Sequence, residues 1–374
     1  MSKLKLMTII GTRPEIIKLC ETIKLADKMF EHTLVHTGQN YDYTLNQIFF
    51  ENFGLREPDF YLDSIGANLG ETIGNIISKS YNLINEIKPD AILILGDTNS
   101  ALAAISAKRL KTPIFHMEAG NRCFDENLPE EINRKIVDHI SDINLPYTEN
   151  ARRNLLAEGL SRETTFVIGS PMREIISLYR NEIDSSEVLK KLGLKPKQYM
   201  VLSAHREENI DNEMVFMSLM NAINSVAEKY KMPIIYSLHP RSKNIISKRN
   251  FIFNPLISKM QPFGFFDYVN LQLNSFCVLS DSGTLAEESA LLHFPAVSLR
   301  TSTERQEVFD KGVMTLGGIT ENDIEQAIEF AVNIKNNCTT NSNVTDYQEA
   351  DISKKVVNII QSFTKVVNIN TWKK

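Results

Sequence analysis

LKLMTIIGTRPEIIKLCETIKLADKM, residues 4–29, is the stretch that decides the fold. Its first seven residues, Leu4–Ile10, form a short apolar, β-rich run. Gly11 and Thr12 interrupt it, and from Ile16 to Met29 the apolar positions recur at helical spacing. A buried strand running straight into an amphipathic helix is the first half of a βαβ unit. The same rhythm continues outward. Strands are expected at His32–Thr37, Ala91–Leu95, Ile114–Met117, Ile143–Leu145, Phe166–Ile168, Met200–Ser203, Ile234–Ser237, Cys277–Leu279 and Ala296–Leu299. Helical patterns at Asn99–Leu110, Pro129–Ile140 and Phe216–Tyr230 lie between them. Such alternation calls for an α/β fold with parallel sheets and right-handed crossovers.

The theme occurs twice. A first half runs from Lys3 to about Gly169, Ser170–Lys197 reads as a helical connection ending near Pro196, and a second block begins at Gln198. A chain of 374 residues suits two such domains better than one core. We expect an N-terminal domain over 1–169 and a second over 170–351. The helical tail Asp351–Thr371 would cross back, so that about 352–374 joins the first domain.

Composition narrows the function classes. Hydrophobic residues make up 43% and charged residues 23%, the profile of an ordinary soluble chain. A net charge of −5 offers no general attraction to nucleic acid or to an anionic membrane. The N-terminal apolar run is short and broken by Arg13-Pro14-Glu15, unlike a signal peptide. No run of 18 uncharged apolar residues is present, so membrane insertion is not expected. The four cysteines, Cys20, Cys123, Cys277 and Cys338, form no CxxC pair and no metal spacing. A reduced, cytoplasmic chain without metal is the simplest expectation.

The conspicuous polar groups fall just after strands, where open parallel sheets bind ligands. After the first strand, Gly11-Thr12-Arg13-Pro14-Glu15 opens a helix with Pro14 in its first turn and Glu15 favoured by the dipole. Arg13 beside free N–H groups makes an anion site, and Lys18 a turn later adds charge. The segment is neither GxGxxG nor a Walker loop, so nicotinamide and ATP are not indicated. Asp97, in Gly96-Asp97-Thr98-Asn99, either caps a helix or orients a base. Glu118 ends an apolar strand, where burial is costly without a partner. Glu130 at a helix start is either a dipole-compensating surface acid or a site acid, four residues before Arg134 and able to pair with it. His205 and Arg206 after Met200–Ser203 suit phosphate contact or proton donation to a departing phosphate; His239-Pro240-Arg241 is a weaker version. Ser280-Asp281-Ser282-Gly283-Thr284 opens another helix, whose N-terminus can hold a diphosphate while Glu288 takes ribose hydroxyls. Arg305 follows the last core strand.

Acids in one half and a nucleoside-diphosphate site in the other suit a sugar nucleotide whose C1–O bond breaks. Elimination and re-addition needs no cofactor. At this point the ordered motifs GTRPEIIKL, HTGQNYDY, LGDTNS, HMEAGNRCFDENLPEEINRKIVDH, SAHREENID, HPRS, SDSGTLAEES and TSTERQEV can be taken together. Over nearly its whole length the chain resembles the non-hydrolysing UDP-N-acetylglucosamine 2-epimerase family. Within it, the chain is most similar to the capsule and O-antigen branch that converts UDP-N-acetyl-L-talosamine to UDP-N-acetyl-L-fucosamine. The resemblance implies two Rossmann-like domains of GT-B type, an active site in the inter-domain cleft and a homodimer. It implies anti elimination of UDP and re-addition on the other face, with Asp97, Glu118, Glu130 and His205 in the acid, base and charge-stabilising roles. Arg13, Lys18, Ser282, Gly283, Glu288 and Arg305 match UDP-contacting positions, joined by Arg206, Tyr268 and Thr284.

Three departures from the family pattern bear on substrate choice. The stretch between HMEAG and PEE is about two residues shorter than in the UDP-N-acetylglucosamine enzymes and reads NRCFDENL beside the sugar. Glu207 replaces a second Arg. Gln39–Asp42 differs from the segment that helps those enzymes bind a second, activating UDP-N-acetylglucosamine, so that activation is not expected here. Gln306 in place of Pro is a local change. Other readings remain open: a true UDP-N-acetylglucosamine 2-epimerase, a glycosyltransferase on the same fold, which would need an acceptor, and a sensor that binds UDP without turnover.

Overall fold

The structure is a computed structural model that describes residues 3–38, 46–338 and 343–374. The chain divides into two compact units, Met1–Ile175 with Asp346–Lys374, and Ile176–Thr345. The first is built on β1 (Lys5–Ile10), β2 (Glu31–His36), β3 (Phe60–Tyr61), β4 (Ala91–Leu95), β5 (Ile114–Met117) and β6 (Ile143–Leu145). They pair in the order β3-β2-β1-β4-β5-β6, every ladder parallel. The second carries β7 (Met200–Ser203), β8 (Ile234–Ser237), β9 (Ile257–Met260), β10 (Cys277–Ser280), β11 (Ala296–Ser298) and β12 (Thr315–Leu316). Their order is β12-β11-β10-β7-β8-β9, again all parallel.

Central strands are apolar without alternation because helices cover both faces. In β4 every residue of Ala91-Ile92-Leu93-Ile94-Leu95 is buried. The helices needed below are α1 (Arg13–Met29), α2 (Pro129–Ile140), α3 (Glu213–Tyr230), α4 (Phe265–Asn274), α5 (Thr284–Leu292) and α6 (Ile352–Asn370). In the first unit Met7, Ile9, Ile92 and Ile94 pack with Ile76, Ala103, Ala104 and Val137. In the second, Met200, Leu202 and Leu279 pack with Phe216, Ile223, Val226 and Ile328. Helix α6 belongs to the first unit. Its buried face includes Ile352, Val356, Ile360 and Val367, and Ser353 donates from N–H and Oγ to Glu174 at 2.9 and 2.6 Å.

Three strands escape a reading of apolar runs, and all three are sheet edges: β3, β9 and β12. Their residues are largely exposed, so no continuous apolar run marks them. The strand expected at Phe166–Ile168 is also corrected. The chain there joins the edge of β6 by one bridge, Asn144 with Thr165, and by Phe166 N–H to Asn144 O at 2.9 Å and Ile168 N–H to Pro146 O at 3.0 Å. The connection after Gly169 holds three short helices, Pro171–Leu178, Arg180–Asp184 and Val188–Lys191.

The strand orders set where ligands can bind. In the first sheet the connections diverge between β1 and β4; in the second, between β7 and β10. Loops leaving adjacent strands to opposite faces open a crevice at the carboxyl ends of the strands. The four loops concerned begin at Gly11, Gly96, Ala204 and Asp281.

Candidate active site

In the first unit the β1 and β4 loops are drawn tightly together. A Cβ on Gly11 would lie 2.0 Å from Thr37 Oγ1 and 2.1 Å from Ser100 Oγ, so only glycine fits where these two hydroxyls bond at 2.8 Å. Glu15, in the first turn of α1, accepts from the N–H groups of Gly11 and Thr12 at 2.5 and 2.9 Å and from the Thr98 hydroxyl at 2.5 Å. These donors favour its ionised form, but burial, with a smaller push from Asp97, dominates and raises its pKa to about 7.

Asp97 is no helix cap; Thr98 fills that role, accepting from Ser100 N–H. The Asp97 carboxylate takes two bonds from the Arg134 guanidinium, at 2.5 and 3.0 Å. Asn133 of α2 also donates to the Asp97 carbonyl at 3.0 Å. The spacing argument for a Glu130–Arg134 pair is therefore corrected: Arg134 binds Asp97 and, at 2.8 Å, Glu131. Glu131 is fully buried and also accepts from the N–H groups of Cys123 and Phe124, each at 3.2 Å. It thereby pins the loop 121–128 to α2. Glu130 is half-buried in the first turn of α2, where unpaired helix N–H groups favour a carboxylate.

Glu118 answers the cost of an acid at an apolar strand end with an ion pair, 2.7 Å from the nearly buried Lys18 of α1. Its backbone sits at φ 66°, a conformation that costs a non-glycine residue of order 1–3 kcal/mol and gathers at functional sites. Arg13 stands at the first position of α1. Four site residues expected here, Asp97, Glu118, Lys18 and Arg13, thus lie at the ends of β1, β4 and β5 and the start of α1.

In the second unit Asp281, which strand-end inspection passed over, is the organising group. It is fully buried. Its Oδ2 accepts from the N–H groups of His205 and Arg206, both at 2.9 Å, and from Asn209 at 3.1 Å. Its Oδ1 faces His205 Nδ1 at 3.3 Å. A carboxylate at Nδ1 places the proton there in the neutral ring and leaves Nε2 to exchange protons with a ligand. His239 stacks on His205 with ring centroids 5.4 Å apart.

Gly283 caps α5, and the Ser282 and Thr284 hydroxyls bond each other at 3.0 Å at its start. Buried Arg305 pairs with Glu287 at 2.9 Å. Glu288 accepts from Gln272 at 2.6 Å. Arg206 contacts Glu304, which also binds the buried Arg300 at 2.6 Å. Sequence inspection missed Glu304 and Arg300. Their signal was a charged pair four residues apart flanking the end of β11, but nothing local shows that it closes onto Arg206. Tyr268 lies half-buried on α4. Glu207, the odd acid beside His205, turns to Arg241 instead. The Gln39–Asp42 segment lies outside the described residues.

A helix N-terminus with arginines and a buttressed histidine can hold a diphosphate and give it a proton. Paired carboxylates in the first unit can move a proton at carbon and face a cationic sugar centre. Among the described residues no group of three or more His, Cys, Asp or Glu is set to hold a metal, and no helix is long and apolar enough to cross a membrane.

Comparison with known proteins supplies independent findings. The model of the UDP-N-acetylglucosamine 2-epimerase family matches residues 24–361. A solved UDP-N-acetylglucosamine 2-epimerase from Rickettsia bellii is 46% identical, with all of both chains covered and a TM-score of 0.91. The Methanocaldococcus jannaschii UDP-GlcNAc 2-epimerase, solved in complex with UDP-GlcNAc and UDP, is 33% identical over 96% of this chain and 99% of that one, with a TM-score of 0.89. A Pseudomonas aeruginosa UDP-2,3-diacetamido-2,3-dideoxy-D-glucuronate 2-epimerase is 33% identical over 84% of this chain and 88% of its own. The likeness covers both units and fixes the fold as the two-domain, GT-B-like α/β type.

Proposed function

The chain belongs to the UDP-N-acetylglucosamine 2-epimerase family, and we propose that within it this enzyme converts UDP-N-acetyl-L-talosamine to UDP-N-acetyl-L-fucosamine. That it is an isomerase acting at C2 of a UDP-sugar follows from the family; the identity of the sugar is the proposal. The observation that carries it is the short loop NRCFDENL, residues 121–128, whose backbone is fixed on Glu131 while Phe124 stands 67% exposed. A shortened, anchored loop next to Glu118 and Asp97 changes the room and the apolar surface offered to a sugar. That the Pseudomonas aeruginosa relative is named for a diacetamido-glucuronate supports variation of the sugar within one scaffold.

In this reading the second unit takes the UDP: the start of α5 with Ser282, Gly283 and Thr284, and Arg206, Arg305, Tyr268 and Glu288, aided by Arg13 and Lys18. The first unit supplies acids and bases. A carboxylate among Asp97, Glu118 and Glu130 removes the C2 proton. The C1–O bond breaks, its electron pair leaves on UDP, and His205 donates a proton to the departing phosphate oxygen. The intermediate is a 2-acetamidoglycal. UDP then adds back to C1, and a second acid delivers a proton to the opposite face of C2. No electron is gained or lost, so no redox cofactor is required. The reading includes a cytoplasmic homodimer serving capsule or O-antigen synthesis.

The test is turnover on two purified substrates, read by proton NMR of the C1–C2 coupling. A kcat/KM for UDP-N-acetyl-L-talosamine at least about 100-fold above that for UDP-N-acetylglucosamine, a ratio within reach of pocket discrimination, is the expected result. The reverse preference would assign the protein to UDP-N-acetylmannosamine formation.

A further inference from the structure

Gln272, in the last turn of α4, is fully buried. Its Nε2 donates to Oε2 of Glu288 on α5 at 2.6 Å. Its Oε1 has no hydrogen-bond donor among the described residues. A buried acceptor without a donor lowers stability, and an apolar side chain of similar size would avoid that loss. Turning the amide over gives no relief, since the carbonyl oxygen would then face a carboxylate oxygen. A core position that keeps such a group calls for a reason other than packing. Its surroundings supply one. Thr284 opens α5 and Glu288 lies four residues on, so the two share a face, about 6 Å apart along the axis. The Thr284 hydroxyl meets that of Ser282 at 3.0 Å at the helix start. On α4, Tyr268 and Gln272 are also four apart and share a face. Glu287, beside Glu288, turns to Arg305 at 2.9 Å.

We propose that Gln272 is a positioning residue that sets the carboxylate of Glu288 for the ribose hydroxyls of the nucleotide. The inference rests on the reading of α5 as the element that takes UDP, with Glu288 at the ribose. A glutamate side chain is flexible, and ordering it when the ligand arrives subtracts from affinity. The Gln272 amide orders it beforehand. It donates to one carboxylate oxygen and so fixes the direction of the group, and it brings no charge of its own. A hydroxyl that donates to a carboxylate makes one of the stronger hydrogen bonds, and that strength depends on alignment. The buried Gln272 oxygen without a donor is then stability given up for a pre-set binding group.

Nucleotide binding to the full chain decides it, read by calorimetry with UDP and with 2′,3′-dideoxy-UDP, which lacks both ribose hydroxyls. The wild type should bind UDP about 100-fold more tightly, the scale of hydrogen bonds to a charged group. In Gln272→Leu that ratio should fall to about tenfold or less, while Kd for dideoxy-UDP stays within about twofold of the wild-type value. In Glu288→Ala the ratio should fall likewise. Adding Gln272→Leu to Glu288→Ala should then change Kd for UDP by no more than about twofold, because the amide acts through that carboxylate. A wild-type ratio in folded Gln272→Leu overturns the proposal. So does an equal loss of affinity for both nucleotides, which marks a purely structural role. Should Gln272→Leu fail to fold, Gln272→Met, unbranched and close in length, takes its place in the same comparison. Equal binding of the two nucleotides by the wild type would instead overturn the ribose reading of Glu288, and the proposal with it.

Discussion

Asp97, Glu118 and Glu15 crowd the carboxyl ends of β1, β4 and β5, and each is held differently. Asp97 is clamped by a guanidinium, Glu118 by a lysine, and Glu15 by backbone N–H groups and a hydroxyl. The reading of Asp97, Glu118, Glu130 and His205 as the acting groups leads to a plain expectation. Asp97→Asn, Glu118→Gln, Glu130→Gln and His205→Ala should each lower kcat by about 100-fold or more, the usual scale for acid and base groups; near-normal turnover in any one removes it. Glu15 leads to a different one. Its pKa rises from 4.5 to about 7 on folding, so the folded state binds the proton more tightly. Its contribution to stability is full below pH 4.5 and lost as pH climbs through about 7, amounting to about 3 kcal/mol. Urea unfolding of the wild type against Glu15→Gln should show that decline with pH in the wild type and a flatter curve in the variant. Equal slopes would contradict it. Asp97 and Glu118 were legible because they stand alone after apolar runs. Asp281, Glu304 and the true partner of Arg134 were not, since each acts through groups 37 to 98 residues away.

The turns matter as elements because they aim the strand-end groups. Gly120 follows Glu118 and Ala119 at φ 83°, and a Cβ there would meet the Ala151 carbonyl oxygen at 2.3 Å. Gly159 has a similar φ of 87° with open space around it. Gly159→Ala should therefore cost only the backbone strain, of order 1–2 kcal/mol, whereas Gly120→Ala adds a backbone collision and should cost about 3 kcal/mol or more. Equal midpoints in urea for the two variants would contradict the packing argument. Central strands could be bounded from sequence to within a residue because burial on both faces leaves mostly apolar side chains. Three of the four edge strands, β3, β9 and β12, could not, because their exposed residues leave no apolar run to read, whereas the fourth, β6, is buried and was read.

The whole molecule repeats one device: a parallel sheet whose connections diverge at a switch point. That much was legible, since alternating strands and helices in two blocks specify the α/β class. The motif order supplied the reaction, because no spacing or charge pattern by itself selects C2 of a sugar. The account stands or falls on proton exchange at that carbon. The protein should be incubated in deuterated water with UDP-N-acetyl-L-talosamine, and separately with UDP-N-acetylglucosamine, and the C2 position followed by NMR and mass. The account predicts solvent deuterium at C2 of the L-talo and L-fuco pair, with UDP as the transient leaving group and no acceptor required. Retention of hydrogen at C2 in both substrates would contradict it.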